Sequence, residues 1–186
     1  MSAQPIPPST PPQAGPVDLR LAVGRAAAST WVVTGSGDRG PVGFTAVSVA
    51  SVSVAPPLVS FTIAKDSSFL VTIAQSGRAA LHLLSADQQS VAERFAGDRS
   101  WRFVDDGAWA YDDHGLPVVR GVLSRLVTRI HDLVDAGDSF LVLARVEHAV
   151  ANGGQPLLHH SGGYTPLSSS SPHPGGSARA RNPHPA

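Results

Sequence analysis

Hydrophobic and polar positions divide the chain into a patterned centre and two unpatterned ends. Between Val17 and Leu167 apolar residues recur with regular periods. Asp18 to Ala28 places Leu19, Val23 and Ala26 on one face, which predicts a short helix. Trp31 to Thr34 is a β-rich run, and after a glycine-rich turn a second extends from Val42 to Val54. Ala55-Pro56-Pro57 breaks the chain before Leu58 to Ala64, which reads as a buried strand. Ser67 to Gln75 is predicted helical, with Asp66 or Ser67 as N-cap and Gly77 as the stop, and Ala79 to Leu84 as a strand. The clearest helix is Asp87 to Ala96. Ser85 and Gln88 form a capping-box pair, Val91 and Phe95 meet at i,i+4, and Gly97 follows.

Beyond a loop rich in Trp, Asp and Gly, two long strands are predicted, Gly121 to Leu133 and Ser139 to Val150, joined by Asp135-Ala136-Gly137-Asp138. In the second, Phe140, Val142, Ala144 and Val146 share one face and Leu141, Leu143, Arg145 and Glu147 the other. A short strand, Pro156 to His160, closes the pattern. The fold class is mainly β with short helices, a single-domain β-barrel with helical excursions rather than a doubly wound sheet. Residues 1–16 contain six prolines and no charged side chain, and residues 168–186 are rich in Ser, Pro, Gly and His. Both are predicted to be disordered tails around a 17–167 domain.

Composition narrows the function. Fourteen basic and 14 acidic residues in 186 leave no net charge, which removes the electrostatic case for nucleic acid or an anionic membrane. No apolar run approaches the ~20 residues of a membrane span. The start lacks the basic and apolar regions of a signal peptide, so a cytoplasmic location is expected. Cysteine is absent, which excludes a thiolate nucleophile. Thirteen of the 14 basic residues are Arg, pointing to a GC-rich bacterial gene and leaving Lys65 as the lone lysine.

Gly35-Ser36-Gly37-Asp38-Arg39-Gly40 matches a dinucleotide-binding glycine pattern, but Pro41 to Thr45 is β-like where that site needs a helix. The glycines are therefore read as a hairpin turn. Hydroxyls at Thr45, Ser48, Ser51 and Ser53 depart from period two, which fits either backbone lying along a flat ligand or an ordinary Ser/Val-rich strand. Ala64-Lys65-Asp66-Ser67-Ser68 opens a helix after a strand. Its free N–H groups, with Lys65 and two hydroxyls, suit either a phosphate or plain capping. The histidines are spaced for no metal site: His159 and His160 point to opposite faces of a strand, and His131 and His148 lie on different strands.

The order of these features resembles the flavin reductase-like family, reductase components of two-component flavin monooxygenase systems. The resemblance rests on Pro41-Val-Gly-Phe-Thr-Ala, Ser51-Val-Ser53, Pro56-Pro57-Leu58-Val59-Ser60, Ala64-Lys65 with Ser67-Ser68, Leu84 to Gln88, Arg94 to Gly97, Asp135 to Asp138 and Gly162 to Tyr164. It implies a flavin-binding split β-barrel, a homodimer, FMN or FAD as cofactor, NADH or NADPH as co-substrate and a flavin-dependent monooxygenase as recipient of reduced flavin. The implied flavin contacts are Thr45, Ala46, Val47, Ser48, Ser51, Val52 and Ser53, then Ala64, Lys65, Ser67 and Ser68 at the phosphate, and Phe95. Implied nicotinamide contacts are Gly137, Asp138, Ser139 and Tyr164. Ser139 stands where the family usually has His, and His160-Ser161 where it often has an aromatic residue and Arg. Ala28-Ser29, Trp31 and Val47 also depart from its pattern. The phosphate end therefore looks preserved and the nicotinamide end altered. The alternative reading is a flavin-binding protein recruited to other chemistry in a biosynthetic pathway.

Overall fold

The computed structural model describes residues 23–167. The two tails, and the predicted helix before Val23, lie outside the described residues. The elements are β1 (Ala28–Ser29), β2 (Trp31–Gly37), β3 (Gly40–Ala46), β4 (Ala50–Ser53), β5 (Leu58–Ala64), α1 (Ser68–Ser76), β6 (Arg78–Leu83) and α2 (Gln89–Ala96). A 3-10 turn (Arg99–Trp101) follows, then β7 (Trp109–Tyr111), β8 (Pro117–Val119), β9 (Ser124–Ala136), β10 (Ser139–Ala151), β11 (Leu157–His160) and β12 (Gly163–Pro166).

Seven strands form one antiparallel sheet in the order β3-β2-β6-β9-β10-β5-β4. Val33 and Ala46 from one end of that order meet Val59, Phe61 and Ile63 from the other in a single buried cluster. The sheet therefore curls into a barrel, and its edges β3 and β4 are not hydrogen-bonded to each other. This is a split barrel, and α1 packs into the same cluster through Phe69 and Ile73. The opposite face of β2 and β6 is covered twice. Val32 packs with Ala92, Phe95 and Leu157 beneath α2 and β11, and Ala80 packs with Leu116 and Val127 near the β7–β8 ribbon.

Local signals explain the well-read elements. Ser67 caps α1, its hydroxyl accepting the Phe69 N–H, and Gly77 takes the left-handed φ of 63° that ends it. The Asp38-Arg39 turn joins β2 to β3, with Gly37 opposite Gly40, so the glycine-rich stretch is a hairpin. Inward Val142 and Ala144 are buried and outward Arg145 and Glu147 exposed, as alternation requires. At Gly43 a Cβ would lie 2.9 Å from the Val33 carbonyl oxygen and 3.0 Å from the Phe95 ring. Gly43→Ala is expected to destabilise the fold by about 1–3 kcal/mol, as overpacking does, in denaturant titration. No measurable loss would mean that β3 shifts freely.

Several expectations are corrected. The Asp18–Ala28 helix does not extend to Ala28, which pairs with His159 in β1–β11; among the described residues of that segment the Ala26 N–H donates to the Val23 carbonyl at 2.9 Å in a single turn. The Val42–Val54 run is two strands with a bend at Val47–Val49. There the Ser48 hydroxyl accepts from the Thr62 N–H at 3.0 Å and pairs with the Thr62 hydroxyl at 2.8 Å. The capping box is half formed. Gln88 accepts the Ser85 N–H at 3.0 Å, while the Ser85 hydroxyl turns to Asp87 and the Gly121 carbonyl. The helix consequently starts at Gln89 rather than Asp87. No helix among the described residues is long and apolar enough to cross a membrane.

Candidate functional site

Strand β5 organises one region of the barrel surface. Ser48 is tied to Thr62, Thr62 pairs with Leu141, and Ala64 pairs with Ser139. The next residue anchors the β9–β10 turn: the Lys65 N–H donates to the Asp138 carbonyl at 3.0 Å. Two residues further Ser67 caps α1. The bend at Ser48, the start of α1 and the Gly137–Ser139 turn thus share one region. The Ser139 hydroxyl donates to the Asp138 carboxylate at 2.9 Å.

Two concave features flank this region. One is a cleft of about 740 Å³ between Val47-Ser48, the Val23–Ala28 segment and His159 to Gly162, within the ~300–1,000 Å³ usual for ligand pockets. The other is a small pocket at the start of α1, lined by Ser67, Ser68, Gly43, Arg99 and Arg102. Arg102 donates to the carbonyls of Gly43 and Gly97, each at 2.7 Å, and its buried Nε has no partner. Burial, and next the charge of Arg99, hold the Arg102 guanidinium below the usual arginine range. Two cations, two serines and the positive end of a nine-residue helix therefore converge, which favours an anion. These arginines were not among the residues singled out in the sequence. Their i,i+3 spacing after the capping residue Asp98 was the available local signal, and it says nothing of what they face.

The predicted contacts separate into exposed and interior positions. Val47, Ser48, Ser51, Val52, Ala64, Lys65 and Ser68 are exposed, and Ser53 and Ser67 are half-buried. Ala46 is in the barrel core. Phe95 lies in the second cluster, edge-on to Phe103 at 5.1 Å, and offers almost no surface to a ligand. The Thr45 hydroxyl donates to the Ala92 carbonyl at 2.6 Å. Lys65 does not line the pocket at Ser67. Its ammonium pairs with Asp135 at 2.7 Å and sits 5.2 Å from the Phe140 ring centroid. The hydrogen bond from Lys65, with one from the Gly137 N–H, holds Asp135 below the usual carboxylate range. Tyr164 is placed apart from Gly137–Ser139, in β12, packed on the second cluster and on His159. Burial, with the nearby Glu93 charge, raises its phenol above the ordinary value.

Fold and site together define a split β-barrel with a cation-flanked pocket and a separate apolar cleft. A family model described as flavin reductase like domain matches residues 23–168, so the chain belongs to that family. An NADH:FMN oxidoreductase of Rhodococcus qingshengii is 41% identical over 158 residues, covering 81% of this chain and 82% of that one. The reductase subunit HsaB of a flavin-dependent monooxygenase from Mycobacterium tuberculosis is 32% identical over 156 residues, covering 82% of this chain and 83% of that one. The solved Streptomyces globisporus NADH:FAD oxidoreductase SgcE6, in complex with NAD and FAD fragments, superposes with a TM-score of 0.78 at 29% identity. It covers 85% of this chain and 99% of its own.

Proposed function

We propose that this protein is an NAD(P)H:flavin oxidoreductase, acting as a homodimer, that supplies reduced FMN or FAD to a flavin-dependent monooxygenase. The observation that carries the reading is the convergence of Ser67, Ser68, Arg99 and Arg102 on the start of α1, joined through β5 to the cleft at Val47-Ser48. The residues fit a flavin: a pocket lined by Ser67, Ser68, Arg99 and Arg102 for a phosphate, and an apolar cleft of suitable volume beside Val47 and Ser48. The flavin, when bound, supplies hydride chemistry between reduced nicotinamide and its own ring. The protein supplies position. Ser67 and Ser68 would hold the phosphate at the helix terminus, Arg99 and Arg102 would neutralise it, and Val47 and Ser48 would border the ring system. Gly137 to Ser139 would approach the nicotinamide from the β9–β10 turn. The Ser139 hydroxyl, turned to Asp138, offers no stacking surface. Exposed Val52 and Val54 beside the bend supply apolar area for a second subunit.

The test is the purified protein with FMN or FAD and NADH or NADPH, following loss of reduced-nicotinamide absorbance. No turnover with any pair would overturn the reading. Arg99→Ala is expected to weaken flavin binding in calorimetry about tenfold, the lower end for a charge-assisted contact because Arg99 is exposed. Unchanged affinity in Arg99→Ala together with a loss in Lys65→Ala would move the phosphate to Lys65.

A further inference from the structure

The outer face of β9 and β10 carries a row of like charges outside the flavin region. Arg78 on β6 pairs directly with Arg129 on β9, and Arg129 pairs directly with Arg145 on β10. Adjacent strands lie about 4.8 Å apart, so the three backbone positions span roughly 10 Å. Like charges placed directly opposite on a sheet are destabilising. One carboxylate offsets part of this. Glu147 bridges the first two guanidiniums, 3.2 Å from Arg78 and 2.9 Å from Arg129. Its carboxyl is held below the usual range, first by the hydrogen bond from Arg129. Among the described residues no carboxylate pairs with Arg145, which is exposed, and Arg129 remains 60% exposed. Leu143, two positions before Arg145 on the same face, lies opposite the exposed Asp132, and beyond this pair Leu141 lies opposite the exposed Val134, so one carboxylate and three apolar side chains continue the surface.

We propose that this row is a docking surface for an acidic protein segment, one carboxylate of which sits between Arg129 and Arg145 as Glu147 sits between Arg78 and Arg129. The bound Glu147 displays the chemistry that the free position would accept, and the leucines beside it suit an apolar neighbour of that carboxylate. A second copy fits poorly, because a two-fold contact on this patch would set the row against itself. Nucleic acid fits poorly as well, because the chain is neutral and the row is short. The proposal does not depend on the flavin-binding reading.

The probe is a short fluorescent peptide of alternating glutamate and leucine, with a glutamine-leucine peptide as control, followed by anisotropy on the full chain. Saturable binding of the glutamate peptide is expected, weakened about tenfold in Arg145→Gln and further in Arg145→Glu. Arg120→Glu, on another part of the surface, should bind as wild type does. Flavin reduction should stay unchanged in both Arg145 variants, and the melting temperature should hold or rise because a like charge opposite Arg129 is removed, which separates lost docking from lost folding. Equal binding by the wild type and the Arg145 variants, equal binding of both peptides, or no saturable binding would overturn the proposal. Tighter binding of a single-stranded oligonucleotide at the same residues, or a change of oligomeric state on Arg145→Glu, would overturn it in favour of those occupants.

Discussion

Phe69→Ala is expected to cost about 3–5 kcal/mol of folding stability in denaturant titration, the range for emptying a buried aromatic site. Phe69 is 2% exposed and joins α1 to the barrel interior. Its ring meets Phe44 edge-on at 5.1 Å, and lies so near β2 that a Cβ on Gly35 would come within 3.3 Å of it. Helix α1 has nine residues and buries only Phe69, Thr72 and Ile73. A helix this short depends on tertiary packing rather than propensity, so the cavity should loosen the whole element. Because Ser67 and Ser68 stand at its first turn, flavin affinity should fall in the same variant. Val71→Ala, at an exposed position of the same helix, should change stability by no more than about 0.5 kcal/mol. A cost below about 1 kcal/mol for Phe69→Ala would show that α1 is anchored by something else.

Stability should also fall as pH drops from 6.5 towards 4, by about 3 kcal/mol from one residue, at roughly 1.4 kcal/mol per pKa unit. His82 on β6 is fully buried, and its Nδ1 lies 3.1 Å from the Val32 carbonyl oxygen. A carbonyl only accepts, so Nδ1 carries the proton and Nε2 is left bare, buried and without a partner. Burial pushes the pKa down from 6.5 to about 4; the Val32 hydrogen bond opposes this, and the charge of Arg125, its cross-strand neighbour, adds to it. The unfolded chain takes up a proton near pH 6.5 and the native ring does not until about 4. Stability is therefore complete above 6.5, declines through that window and loses nothing more from this group below it. Asp112 acts in a lower window. Burial raises its pKa, but hydrogen bonds from Arg125 and from the Leu116 and His114 N–H groups outweigh that and leave it lowered. Its contribution is lost below the ordinary carboxylate range. Chemical denaturation at pH 7.5 and 4.5 distinguishes the two, since His82→Gln should flatten the upper window only. A wild type equally stable at both values would show that His82 is not held neutral by its burial.

Elements with strong local signals were legible in advance. Strand β5 needs only its apolar run and the prolines before it, and α1 only a hydroxyl cap and a glycine stop. The β2–β3 hairpin follows from its glycines, because no helix begins after them. Family resemblance added the split barrel and implied the flavin phosphate at α1, where the helix-terminus argument had left a phosphate and plain capping both open. The short strands β1, β7, β8 and β12 were not foreseen. Two to four residues carry too little periodicity to read, and such strands exist only because a partner strand satisfies their backbone.

The sequence by itself determined which faces of the long strands point inward, because period two follows from the covalent geometry of an extended chain. It determined the capped start of α1 as well, since a serine hydroxyl reaches the N–H two residues on. Tertiary structure alone decided which faces meet. The strand order brings Arg78, Arg129 and Arg145 into one row, and packing brings Arg99 and Arg102 to Ser67 and Ser68. It also gives Lys65 to Asp135, 70 residues away, rather than to the pocket beside it in sequence. Periodicity reports a side chain's direction and not its neighbour, and contacts between distant strands are selected only when the whole sheet closes.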